Sequence, residues 1–194
     1  MAFLTRTEVG AYARNSIYNF SAKSAENLIA ENVKVASAGA GVRDIFLSHR
    51  YADKVELVGL MRMLEDMNLT VFVDWREYSE LSRQHVTRVT AAMLKKDMSR
   101  CRTLLFAVTS TASQSIWMPW ELGLFDGMKS RVAIVPLTEH GKDIPGQEYL
   151  ELYPWIDRAV PDGFHKPILW VNQGRDCYIS LKDWVQGEDP VSHS

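Results

Sequence analysis

Glu121 lies in the stretch SIWMPWELGLFDG, residues 115–127, with Trp117 and Trp120 close by. A carboxylate among large aromatic side chains has two readings. It is a helix-stabilising acid on an otherwise apolar core helix, or it is a fixed negative charge on a pocket wall, where held charges do chemistry. Pro119 bears on the choice. Proline lacks an N–H and is tolerated in a first helical turn, so a helix is expected to begin near Pro119 with Glu121 in its first turn. Free backbone N–H groups and the helix dipole there keep a carboxylate ionised. Trp117 and Glu121 are four residues apart and share a face if the turn is helical. On these residues alone both readings stand.

Other chemistries find little support. The histidines, at 49, 85, 140, 165 and 193, show no metal-ligand spacing. Cys101 and Cys177 form no CxxC pair and read as incidental reduced thiols. The segment GAGVRD imitates half of a dinucleotide fingerprint, but it precedes a strand and lacks the third glycine. There is no GxxxxGK[ST] phosphate loop and no GxSxG nucleophile elbow. A phospho-receiver domain would carry paired acids after its first strand, where this chain has Ser48, His49 and Arg50.

The whole chain must position such a site. Its 194 residues suit one domain with an appendage, and 46% hydrophobic and 24% charged residues are ordinary for a globular protein. A formal net charge of −2 gives no footprint for nucleic acid. The start, MAFLTRTEV, is too short in apolar residues for a signal peptide, and no stretch approaches the roughly 20 apolar residues of a membrane span. A reducing cytoplasm is the expected compartment, with no membrane and no nucleic-acid partner.

Residues 4–20 read as a helix opened by a capping box, Thr5 with Glu8, and a Leu4–Val9 hydrophobic staple. A second helix is expected over 24–35, followed by the small-residue linker ASAGAG, residues 36–41. Beyond it, apolar runs alternate with helical patterns. RDIFLSH, LTVFVD, RTLLFAVTS and RVAIVPL read as buried strands, the last stopping at Pro136, and KPILWV as a fifth. SLKDWVQG reads as a short last helix capped by Ser180. The pattern predicts an α/β fold with a parallel sheet of four or five strands and helices on both faces. The expected organisation is a helical arm and linker over 1–41, a main domain over 42–186 and a frayed tail over 187–194. Ligands of such sheets bind at the carboxyl ends of the strands, here residues 48–53, 74–80, 109–117 and 136–140.

The segment DIFLSHRYADKVELVGLMRMLEDMNLTVFVD resembles the opening of a Toll/interleukin-1 receptor (TIR) domain, with its apolar strand ending in Ser-His and an acid shortly after. TLLFAVTSTASQSIWMPWELGLF is similar to the family's third strand and its Ser-x-Trp-x-x-x-Glu segment. The resemblance covers about residues 43–137 and implies a flavodoxin-like fold. Many prokaryotic members cleave NAD+ between nicotinamide and ribose, and the family's catalytic glutamate falls on Glu121 and its aromatic partner on Trp117. That chemistry builds positive charge on the ribose, which a fixed carboxylate stabilises and an aromatic face accommodates. Phe46, Ser48, His49 and Arg50 fall where the family lines its NAD+ site. Asp74 and Trp75 open the loop that gates the site and mediates self-assembly, although Arg76 departs from the family pattern there. The resemblance further implies NAD+ as substrate with no bound cofactor or metal, TIR–TIR self-association, and an ADP-ribose or cyclic ADP-ribose signal reaching a downstream effector, as in Thoeris-type anti-phage defence. The alternative it leaves is a non-enzymatic TIR scaffold.

Overall fold

The computed structural model describes residues 2–16, 21, 25–32, 41–73, 88–109, 115, 117–140, 148–163 and 165–193. Among the described residues, the parallel core of the sheet is β2 (Arg43–Ser48), β3 (Val71–Val73), β4 (Cys101–Val108), β5 (Val132–Thr138) and β6 (Trp155–Ala159). Their spatial order is β3-β2-β4-β5-β6, the doubly wound flavodoxin-like arrangement. The order reverses between β2 and β4, where ligands of such sheets bind at the carboxyl ends.

Near-continuous apolar runs let each strand bury both faces. Ile45, Leu47, Val71, Val73, Leu105, Ala107 and Val135 face a layer that includes α1 (Arg6–Ser16), α2 (residues 25–32), α3 (Lys54–Asp66) and α6 (Leu181–Gln186). Phe46, Phe72, Leu104, Phe106, Val108 and Ile134 face α4 (Arg88–Ser99) and α5 (Trp117–Lys129). The alternation is the two-residue period of an extended chain.

Several expectations change. β5 does not stop at Pro136 but runs on to Thr138. Pro136 is the last residue in register with β4, and Leu137 begins a new register with β1 (Leu4–Thr5). The missing N–H therefore falls where β5 changes neighbours. The fifth parallel strand is β6, and KPILWV contributes to β7 (Ile168–Gly174), which turns back antiparallel on β6. Asp157 and Arg158 in the middle of β6 disguise it in the sequence. The end of the chain was expected to fray; instead β8 (Cys177–Ser180) pairs with β9 (Val191–Ser192), and His193 stacks on Tyr178. Asp189 is held by Arg131 at 2.5 Å.

The first residues are built into the sheet. β1 lies parallel beside the end of β5, so the helix begins at Arg6 rather than at residue 4. The capping box is present: the Thr5 hydroxyl accepts from the Glu8 N–H at 3.2 Å, and Glu8 accepts from the Thr5 N–H at 3.1 Å. Leu4 and Val9 are both fully buried. α1 then packs on α3 so closely that a Cβ added at Gly59 would lie 1.9 Å from the Val9 carbonyl oxygen.

Glycine inside a helix normally costs about 1 kcal/mol relative to alanine. Here the backbone approach reverses that sign. Gly59→Ala is expected to destabilise the protein by roughly 1–3 kcal/mol, the usual range for overpacking. Urea unfolding checks it, and a stabilised variant would show that α1 does not sit this tightly on α3.

Candidate active site

Ser48 is the last residue of β2 and shares a face with Phe46, so its side chain points toward the α5 layer. α5 is fixed in rotation by Met118, Leu122 and Phe125, all buried against the same face of the sheet. Glu121 is three residues from Met118 and four from Phe125, so it is carried inward with them. It is only 6% exposed. The Ser48 hydroxyl donates to Glu121 Oε2 at 2.5 Å. A carboxylate from one helix and a hydroxyl from one strand thus meet at the edge of the sheet where the strand order reverses.

α5 begins at Trp117, two residues before the expected start. Ser115 acts as the cap, its hydroxyl accepting from the Met118 N–H at 3.3 Å. Pro119 still occupies the first turn, where its missing N–H is harmless, but Glu121 falls in the second. It is therefore held away from the free N–H groups of the helix end, buried and with Ser48 as a partner.

His49, 7% exposed, has Nδ1 3.4 Å from the Leu47 carbonyl oxygen. Arg50 is half-buried in extended conformation and its carbonyl accepts from the Asp53 N–H at 3.1 Å. Phe46 is fully buried and stacked on Phe72 with ring centroids 5.6 Å apart. It therefore supports Ser48 from inside the core and presents no surface to a substrate, contrary to the expectation. Trp117 opens α5, but its side chain lies outside the described residues, as do Asp74 and Trp75.

Three residues absent from the sequence-derived site join it. Asp53 is 6% exposed and stands at the N-terminus of α3. Its Oδ2 accepts from the Thr109 hydroxyl at 2.8 Å, and its Oδ1 is 3.5 Å from Arg6 Nη2. Burial pushes the Asp53 carboxyl above its ordinary value, while Thr109, Arg6 and Arg50 pull it back only in part. Asp53 is visible in the sequence only as the acid after Ser-His. Thr109 opens the 109–117 strand end read from the sequence, whereas Arg6 carries no local signal, since it reaches Asp53 from 47 residues away.

No family model matches the chain. It is 36% identical over 171 residues to a protein of Bacillus cereus (strain MSX-D12) named "Probable 3' cyclic ADP-D-ribose synthase ThsB'", covering 87% of this chain and 89% of that one. The chain belongs to the Thoeris-type TIR proteins. A second relative of this TIR protein is the "Putative cyclic ADP-D-ribose synthase TIR2" of Cytobacillus dafuensis, 28% identical over 82 residues, or 42% of this chain and 22% of that one. The longer match extends well beyond the TIR-like segment read from the sequence. Among the described residues of this TIR protein, no helix is long and apolar enough to cross a membrane.

The raised Asp53 carboxyl has a consequence for stability. A carboxyl whose value in the folded state exceeds its unfolded value favours folding when protonated, and that contribution is lost as pH rises through the folded value. Ionisation of Asp53 therefore costs stability. Asp53→Asn is expected to gain stability relative to wild type as pH rises from about 3.8 toward 7. Thermal melting of both proteins across that range checks it. A difference that shrinks with rising pH would contradict the burial cause.

Proposed function

We propose that this TIR protein consumes NAD+, breaking the bond between nicotinamide and ribose, with Glu121 as the catalytic carboxylate. The buried hydrogen bond between Ser48 and Glu121, at the ligand-binding edge of the sheet, is the observation that carries the reading. As the bond breaks, its electron pair goes to the nicotinamide ring nitrogen. The ring becomes neutral and positive charge develops on the ribose. A fixed carboxylate at C1 of that ribose lowers the barrier because it is already oriented and partly desolvated. Ser48 orients the carboxylate through its hydrogen bond to Oε2. Arg50 meets the pyrophosphate, Trp117 stacks on the cationic nicotinamide, and the segment opened by Asp74 and Trp75 gates the cleft.

We further propose cyclisation over hydrolysis, following the name of the Bacillus cereus relative. In that step the 3′-hydroxyl of the adenosine ribose attacks the ribosyl C1, forming the new C–O bond, and its proton passes to Glu121. With water as nucleophile the same balance gives ADP-ribose. The nucleotide product serves as a signal to a separate effector, TIR–TIR contacts complete the active form, and the protein works in the cytoplasm.

Incubation with NAD+ and separation of products by mass tests the reading. Glu121→Gln keeps the shape and the Ser48 bond but removes the charge, and nicotinamide release is expected to fall at least about 100-fold. Ser48→Ala is expected to lose roughly tenfold to 100-fold, the worth of one hydrogen bond to a charged group. Equal release by wild type and Glu121→Gln would exclude Glu121 as the catalytic group. A product of ADP-ribose mass alone would exclude cyclisation.

A further inference from the structure

Arg6 is the first residue of α1 and lies at the carboxyl edge of the sheet. Its Nε and Nη2 donate to Glu56 Oε1 at 2.9 and 2.6 Å, Nη2 is 3.5 Å from Asp53 Oδ1, and Nη1 is 3.6 Å from Glu139 Oε1. One guanidinium thus joins the turn after β2, the start of α3 and the end of β5. Through the second oxygen of Asp53 it also reaches Thr109 at the end of β4.

We propose that Arg6 is a positioning residue of the catalytic site, holding the Ser48–Asp53 turn through Asp53 and so fixing the Ser48 hydroxyl against Glu121. The inference rests on the reading of Glu121 as the catalytic carboxylate. Three features support it. Arg6 is itself rigidly placed, because Leu4 and Thr5 pair with Leu137 and Thr138 just before Glu139, and α1 is clamped on α3 at Gly59. Asp53 is joined to the turn by its own N–H, which donates to the Arg50 carbonyl. Without Arg6, the carboxylates of Asp53, Glu56 and Glu139 would face one another across this corner, and their repulsion would press on the turn that carries Ser48. A planar fork with five donors can satisfy them together in a way a single ammonium cannot.

Arg6→Met and Arg6→Lys are compared with Val9→Ala, which loosens the same α1–α3 contact and leaves Arg6 in place. Nicotinamide release is measured together with hydrogen exchange of the segment 48–53. Arg6→Met is expected to lower kcat about tenfold or more with KM changed less than about threefold, the pattern of a lost transition-state interaction. Arg6→Lys recovers part of the rate, Val9→Ala stays within about threefold of wild type, and Arg6→Met combined with Asp53→Asn is no worse than Asp53→Asn alone. Exchange over 48–53 rises in Arg6→Met and not in Val9→Ala. Matching rates in Arg6→Met and Val9→Ala, or unchanged exchange over 48–53, would overturn the proposal. If wild type releases no nicotinamide, the NAD+ reading fails by itself, and the exchange comparison still decides whether Arg6 holds the turn.

Discussion

The hydrogen bond from Ser48 to Glu121 spans 73 residues of sequence and depends on the rest of the sheet for its existence. A 2.5 Å contact between a strand end and a helix side tolerates little displacement, so both elements must be immobilised independently. β2 is immobilised by pairing on both sides, with β3 along one edge and β4 along the other. α5 is immobilised by Met118, Leu122 and Phe125 sunk into the Phe46–Phe72–Phe106 side of the core. Burial then gives the pair its chemical character. A carboxylate largely removed from water and already oriented by a hydroxyl would lose little to reorganisation if positive charge were to develop beside it.

The same turn serves two faces. Ser48 points toward α5, while Asp53, at the end of the short helical turn Tyr51–Asp53, meets Thr109 and Arg6 on the α3 side. The N-terminal segment is part of this frame. β1 supplies a neighbour for the last residues of β5, and the contact of Val9 with Gly59 brings two helix backbones together without an intervening side chain. A carboxyl whose ionisation is opposed by burial is retained here, with a guanidinium supplied from the first turn of α1. Buried charges that oppose stability in this way concentrate where geometry matters to function.

Features that depend on near neighbours in the chain were legible from the residues alone. The Thr5–Glu8 capping box, the Ser180 cap, the apolar strands and the parallel doubly wound sheet follow from local hydrogen bonding and from the periods of helix and strand. Glu121 and Ser48 were legible as candidate site residues because both sit in short segments that resemble TIR motifs. The start of α5, the passage of β5 through Pro136 and the identity of β6 were not legible. Each depends on which strand or cap a residue meets, and an alternation broken by Asp157 and Arg158 conceals a strand whose neighbours supply the pairing.

Sequence by itself determined which residue types could do chemistry and which edge of the sheet would present them, because strand order and side-chain alternation are encoded in apolar spacing. Only the tertiary structure decided that Phe46 is core rather than cleft, that Glu121 is held by Ser48 rather than by a helix end, and that Arg6 stands beside Asp53. The physical reason is range. Helix and strand periodicity act over a few residues, whereas a hydrogen bond or ion pair between distant segments exists only once packing has brought both partners to within a few ångströms.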